Sequence, residues 1–262
     1  MRFPPDVERK LGEILAAPLL STLRTRVETE PWDESVEREL RPLHFALVPP
    51  GVWKGSKFER SFVTSLGNDW EKAAIEASRG VRTWMQQGYV YSGEIYSEQL
   101  HVITRILGDL EAVRRRPDWD AEVAEVFAAA SGSKEQCRVI VDVAIGDSSE
   151  AHASHDYYEI KSPKPNSDQT KVSKEKMLKL TAMERRRCAY YALPFNPYGT
   201  RATYAWSPPG RWFDMKKDGV VLIGVEFWER LGGSGTWDDL LTIAEREGNK
   251  YRDRIEAYLL DE

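Results

Sequence analysis

The order of patterns along this chain predicts a mixed α/β fold, a central sheet flanked by α-helices with an N-terminal helical segment ahead of it. Three observations carry that expectation. Helical apolar spacing fills most of the first half, β-branched and aromatic stretches interrupted by one helix follow from residue 137, and helical spacing returns near the C-terminus.

The opening helix has Val7, Leu11, Ile14, Leu15, Leu19, Leu23 and Val27 as its apolar stripe, with Pro18 a candidate kink. Pro31, Pro42, Pro49, Pro50, Gly51 and Gly55 mark residues 32–57 as a connecting region. Asn68 or Asp69 then caps a helix whose apolar face is Trp70, Ala73, Ala74 and Ala77, with Glu71 at its edge. Two further helices follow, one on Leu100, Ile103, Leu107 and Leu110, the next on Val123, Val126, Phe127 and Ala130, ended by Ser131-Gly132. The pattern then changes to a strand at CRVIVDVAIG (137–146), a polar loop, and a second strand at DYYEIKS (156–162). Residues 170–187 form a helix, although Val172 and Met183 fall among Lys176 and Lys179 on its wheel. CAYYALPF, RATYAW and GVVLIGV read as strands, with helices after them at 226–231 and 237–260.

Composition narrows the class. With 41% hydrophobic and 30% charged residues over 262 positions, the chain suits a water-soluble enzyme with a sizeable core rather than a disordered tail or a small stapled scaffold. No apolar run approaches the roughly 20 residues that span a bilayer. The N-terminus has no apolar stretch with a cleavage site, so no membrane partner and a cytoplasmic location are expected. Cys137 and Cys188 read as reduced, buried thiols, too few for a disulfide frame or a zinc cluster. No glycine-rich phosphate loop followed by Lys-Ser or Lys-Thr is present, so an ATP-driven motor is not expected.

The net charge of −5 argues against a polyanionic partner, but its distribution does not. Residues 161–187 hold nine basic and three acidic side chains, a local +6 in an otherwise acidic protein. Local charge decides where a phosphate backbone docks.

The chemistry centres on Asp142 and on Glu159-Ile160-Lys161. Side chains alternate along a strand, so Glu159 and Lys161 project to one face while Ile160 points to the other. If the two strands are neighbours, Asp142 joins them. Paired carboxylates repel, and a hard divalent cation relieves that repulsion while leaving room for water and a phosphate oxygen. The Lys161 ammonium offsets charge growing on a phosphate in the transition state. An acidic residue two before a lysine also occurs at Glu8/Lys10 and Asp214/Lys216, yet only Glu159 has a strand context and a strand aspartate upstream. The stretch that follows, KSPKPNSDQTKVSKEKMLKL, supplies Lys164, Asn166, Gln169, Lys171 and Lys174 as donors for phosphates and base edges. Arg185, Arg186, Arg187 and Arg201 add further donors. His152 and His155 lie in the polar loop near the site as candidate proton carriers, whereas His44 and His101 read as structural.

Asp142 with Glu159-Ile-Lys161 resembles the PD-(D/E)xK nuclease signature. YEIKSPKPNSDQTKVSKEKMLKL, YYALPFNPYG and VLIGVEFWERLGG further resemble type II restriction endonucleases of the TdeIII group, from about Lys57 onward. The resemblance implies a restriction-endonuclease-like fold and a magnesium-dependent homodimer, with Mn2+ able to substitute. Such an enzyme cuts both strands of a short palindrome in double-stranded DNA, of the GGNCC type, and works beside a cognate DNA methyltransferase. It makes Asp142, Glu159 and Glu71 the metal ligands and Lys161 the residue assisting the water. Val141 stands where the motif name has proline, a position with no chemical role in catalysis. On this reading residues 1–56 form a helical segment for dimerisation or DNA clasping and residues 57–262 the catalytic and DNA-binding domain. Two alternatives stay open: a nuclease of the same fold acting in repair, junction resolution or on modified DNA, and a DNA-binding protein that does not cut.

Overall fold

The computed structural model describes residues 3–149, 155–186 and 188–260. The chain divides into two compact units, Met1–Glu76 with Asp238–Glu262, and Ala77–Trp237.

The first unit is helical: α1 (Pro5–Leu23), α2 (Glu34–Leu40), α3 (Pro42–Leu47), α4 (Pro50–Gly67) and most of α5 (Trp70–Ser78). Pro18 is buried inside α1 and does not end it, and a π-helical turn continues the helix over Arg24–Thr29. The region 32–57, expected as a connection, instead contains α2, α3 and the start of α4. Asp33 caps α2 by accepting from the Ser35 and Val36 amides at 2.9 and 3.2 Å. Pro42 and Pro50 each open a helix, where the missing N–H has no intrahelical acceptor to lose. These prolines therefore start helices that a breaker reading misses. Residue 56, the expected boundary, lies within α4.

The second unit carries the sheet. In chain order it runs β1 (Trp84–Tyr96), α6 (Ser97–Glu111), α7 (Trp119–Ala128), β2 (Lys134–Gly146), β3 (His155–Ile160), α8 (Ser167–Glu184), β4 (Ala189–Leu193), β5 (Val221–Ile223) and α9 (Val225–Gly232). The helical C-terminal stretch follows as α10 (Thr236–Asn249) and α11 (Arg252–Leu260), so the helix expected over 237–260 is two. Within the first unit Arg246 pairs with Glu8, and Lys54 sits 4.8 Å over the Tyr258 ring.

The five strands lie in the order β1-β2-β3-β4-β5. β1, β2 and β3 pair antiparallel, whereas β3, β4 and β5 pair parallel, so the sheet is mixed. The change of sense has a plain cause: α8 is the crossover between β3 and β4, and a crossover helix returns the chain in the same direction. Tyr157, Tyr191 and Val221 lie on one sheet face and pack with Val139, Val141 and the helices α6, α7 and α8 into the main core. On the other face Tyr158 stacks on Tyr190 and packs against Phe227 of α9. The fold class read from the sequence is the one observed. Cys137 and Cys188 are free thiols, half-buried and buried, and burial pushes the Cys188 pKa up to about 12. Among the described residues, no helix is long and apolar enough to cross a membrane.

Two sequence readings fail in this unit. β1 was not expected, because Gln86, Gln87, Gly88, Ser92, Gly93 and Glu94 disrupt its apolar alternation, yet it pairs with the whole of β2 from Trp84↔Gly146 to Tyr96↔Lys134. RATYAW is not a strand: residues 201–203 form a short 3-10 turn, and Tyr204 and Trp206 after it donate to the backbone carbonyls of Pro163 and Pro165.

Candidate active site

Asp142 lies on β2 and Glu159 on β3, the second and third strands of the sheet, so the site sits inside the sheet rather than at its edge. The antiparallel register ends at the pair Val143↔Tyr158, and one further step puts Asp142 opposite Glu159. Facing positions share a sheet face, which brings the two carboxylates together as the sequence predicts. Beyond that step the ladder gives way to side-chain bonding, and the Ile160 amide donates to Asp142 Oδ2 at 2.8 Å.

Lys161 spans both acids. Its Nζ lies 2.6 Å from Asp142 Oδ2 and 3.1 Å from Glu159 Oε2, and its backbone N–H donates to the Ala192 carbonyl at 2.9 Å. Burial alone lowers the Lys161 pKa, but the Glu159 and Asp142 carboxylates outweigh it and hold the value above that of a free lysine. The residue therefore stays an ammonium near neutral pH and acts as a positive charge, not as a proton acceptor.

Glu159 is the most enclosed member, with a side chain only 1% exposed. A buried carboxylate needs partners, and α8 supplies two that the sequence reading missed. Ser173 Oγ donates to Oε2 at 3.0 Å and Lys176 Nζ to Oε1 at 2.9 Å. Ser173 and Lys176 are three apart on one helix face, with Gln169 four before Ser173. Polar residues at that spacing just after the Glu-x-Lys triplet were the available signal. Glu159, Lys161, Gln169, Ser173 and Lys176 line an open concavity of about 380 Å³, with Asp168 and Val172 at its wall.

The neighbouring strand leaves the site uncovered. Gly88 stands opposite Asp142 between the pairs Gln87↔Val143 and Tyr89↔Val141, and its φ of +59° is one that side chains rarely adopt. No side chain from this position of β1 stands over the carboxylate. Gly88→Ala is expected to cost about 1–2 kcal/mol of stability through backbone strain, read as a lower urea midpoint with an unchanged slope. An unchanged midpoint removes the requirement for glycine here. Val141, in the place of the motif's proline, is buried within β2 and paired with Tyr89, where a proline is poorly tolerated.

Three aromatic side chains fasten the segment after Lys161. Tyr204 Oη donates to the Pro163 carbonyl at 3.0 Å, Trp206 Nε1 to the Pro165 carbonyl at 2.8 Å and Trp212 Nε1 to Ser167 Oγ at 2.9 Å. Lys164, exposed, lies 5.7 and 5.6 Å from the Tyr198 and Trp206 rings. Asn166 caps α8, its side chain accepting from the Gln169 amide at 2.8 Å. Lys164, Asn166 and Gln169 are thus exposed on a pinned backbone beside the carboxylates.

The other expected DNA contacts fare differently. Lys174 is a correction: it is wholly buried, paired with the equally buried Glu122, and lies 4.4 and 4.9 Å from the Phe213 and Trp119 ring centres. Burial pushes its pKa down and that of Glu122 up, each offset in part by the other. No phosphate can reach it. Lys171 is half-exposed but pairs with Glu111 at 2.8 Å. Arg201 pairs with Glu226 at 2.8 Å and also donates to the Asp218 carbonyl. Arg186 pairs with Glu184 and donates to the His155 carbonyl. Arg185 is exposed in a left-handed conformation at the end of α8, roughly 18 Å along the helix from Ser173. Arg187 and His152 lie outside the described residues. His155 is buried rather than solvated, its Nε2 2.8 Å from the Ser148 carbonyl oxygen and its ring 4.4 Å from Trp84. Contrary to a structural role, His101 is exposed beside Glu98. Glu71 is a half-buried residue in the first turn of α5, in the first unit, whereas Asp142, Glu159 and Lys161 belong to the second.

A divalent cation fits this donor set. Among the described residues, no group of three or more His, Cys, Asp or Glu gathers as a metal site. Magnesium, however, commonly uses one or two carboxylates and completes its shell with water and phosphate oxygens. Asp142 and Glu159 meet that need, and Oδ1 of Asp142 accepts no hydrogen bond among the described residues.

Comparison with known proteins bears on the whole chain. Residues 7–248 match the family model described as type II restriction endonuclease, HinfI. The chain is similar to three enzymes of Herpetosiphon aurantiacus. It is 28% identical to the type II restriction enzyme HgiCII over 86% of this chain and 84% of that protein. It is 26% identical to HgiBI, covering 85% and 82%, and 27% identical to HgiEI, covering 82% and 79%. With paired strand carboxylates, a bridging lysine and that match across nearly its full length, the chain belongs to the HinfI family of type II restriction endonucleases and is a site-specific deoxyribonuclease acting on double-stranded DNA.

Proposed function

We propose that this nuclease cleaves by the PD-(D/E)xK arrangement, with Asp142 and Glu159 holding magnesium, or Mn2+ in its place, and Lys161 completing the centre. The observation that carries the reading is the single ammonium within hydrogen-bond reach of both carboxylates. When bound, magnesium supplies Lewis-acid stabilisation of charge on the scissile phosphate. Lys161 adds a fixed positive charge where the phosphate oxygens gain charge, in a part-buried site where such a charge counts for more than in water. Ser173 and Lys176 hold Glu159 in one orientation, and the pinned stretch 163–167 gives Lys164, Asn166 and Gln169 a defined place from which to meet DNA.

The substrate is a short palindrome, with GGNCC-type sites the first to test on the strength of the resemblance of residues 158–180 to the TdeIII group. A two-fold symmetric site is matched by a two-fold symmetric protein, so the enzyme acts as a homodimer, with the segment 1–56 serving dimerisation or DNA clasping. A cognate DNA methyltransferase protects the same sites in the host. Glu71 is a third acidic contributor on this reading. Glu71→Gln is expected to slow cutting and raise the magnesium concentration at half-maximal rate, and full activity at low magnesium removes Glu71 from the site.

Digestion of unmodified plasmid in magnesium, followed by sequencing of the ends, tests the proposal. Discrete fragments with one terminal sequence are expected. A smear, or cutting confined to junctions or modified DNA, contradicts site-specific cleavage of a palindrome.

A further inference from the structure

We propose that Lys176 is an exchangeable counter-ion: it holds Glu159 in the metal-free enzyme, gives up that oxygen to the incoming divalent cation, and then binds a DNA phosphate in the adjoining concavity. The inference rests on Asp142 and Glu159 being the metal-binding pair.

The charges of the cluster set the problem. Asp142 and Glu159 face Lys161 and Lys176, two negative against two positive, so the cluster is neutral as it stands. A dication added to it leaves two uncompensated positive charges in a part-buried site, and releasing one ammonium halves that excess. The two lysines are not equivalent. Lys161 touches both carboxylates, its backbone is tied to β4, and its side chain is 18% exposed. Lys176 has one carboxylate oxygen, a side chain 29% exposed, and a place on the wall of the open concavity. Its flexible four-carbon stem lets the ammonium swing without moving α8. The Glu159 oxygen that it occupies, Oε1, is also the one that Lys161 and Ser173 leave free for a cation.

The consequence is coupling. A cation frees Lys176 for DNA, and DNA that engages Lys176 favours the cation, by the same factor in each direction. A lysine that only anchors Glu159 has neither effect.

Two measurements on the full chain test this, using Mn2+ alone and a short mixed-sequence duplex. Lys176→Gln is expected to bind Mn2+ roughly fivefold more tightly in calorimetry, since the cation no longer displaces an ion pair. In calcium, the slope of log affinity for the duplex against log salt is expected to be shallower than wild type by about 0.9, the worth of one phosphate contact, and in EDTA the two slopes are expected to agree. Unchanged or weaker Mn2+ binding overturns the exchange, as does a slope change equal in calcium and EDTA. Lys176→Met provides a second variant with the same expectations, and Asp142→Asn is the control. Mn2+ binding by the wild type that Asp142→Asn leaves intact contradicts the metal reading itself, whereas Asp142-dependent binding that is insensitive to Lys176 overturns this inference alone.

Discussion

Lys161→Ala is expected to cut duplex DNA roughly a hundred- to a thousandfold more slowly than wild type in magnesium, the loss typical of removing one preorganised charge from a transition state. Its affinity for the same duplex in calcium is expected to hold. The reason is where the ammonium sits: it lies between Asp142 and Glu159, 18% exposed, and has no reach along the DNA backbone while it spans them. The variant should still fold, since Glu159 keeps Ser173 and Lys176 and Asp142 keeps the Ile160 amide. Single-turnover cleavage and binding by anisotropy separate the two effects. A parallel loss of binding and cutting makes Lys161 a substrate contact instead.

The second large effect is on stability. Lys174→Ala is expected to destabilise the protein by about 3–5 kcal/mol, because it leaves Glu122 buried with its ammonium partner gone. The combined change Lys174→Met with Glu122→Gln is expected to recover most of that loss, as the pair is replaced by groups that need no counter-charge. Chemical denaturation measures both. The salt dependence of DNA binding should match wild type in the double variant. A single variant as stable as wild type, or a double variant whose salt slope falls by about one unit, returns Lys174 to the DNA surface.

Lys174 also shows why a linear count of charge misleads. Residues 161–187 are strongly basic along the chain, but acids from other elements meet them in space. Glu122 of α7 takes Lys174, Glu111 of α6 takes Lys171, and Asp142 and Glu159 take Lys161 and Lys176. What remains exposed beside the carboxylates in the metal-free protein is the short set Lys164, Asn166 and Gln169, with Lys176 joining it on the exchange proposed above. The same burial explains the untidy wheel of α8. Its inner stripe is Thr170, Ser173, Lys174, Met177, Leu178 and Thr181, correct in period but with four of the six polar, while Val172 faces outward.

The legible parts of the fold are those in which local pattern and burial agree. β2 and β3 announce themselves by β-branched and aromatic runs, and their antiparallel pairing then brings Asp142 to Glu159 with no further information. β1 stayed hidden because an edge strand half open to solvent need not alternate, and Gly88 and Gly93 interrupt what pattern there is. The aromatic stretch 198–212 has strand composition yet spends its polar atoms on the carbonyls and hydroxyl of 163–167. Such a role depends on a partner about forty residues away and leaves no local trace. Ser173 and Lys176 do leave a signal in their spacing on α8, but their acceptor, Glu159, lies 14 and 17 residues back on the preceding strand, so local pattern alone does not pair them.

The most direct test of the central claim is the position of a bound cation. In crystals of the protein soaked with Mn2+, the anomalous difference map is expected to place the ion within about 2.0–2.4 Å of carboxylate oxygens from both Asp142 and Glu159. An ion bound elsewhere, with those two carboxylates still closed on Lys161 and Lys176, contradicts the account.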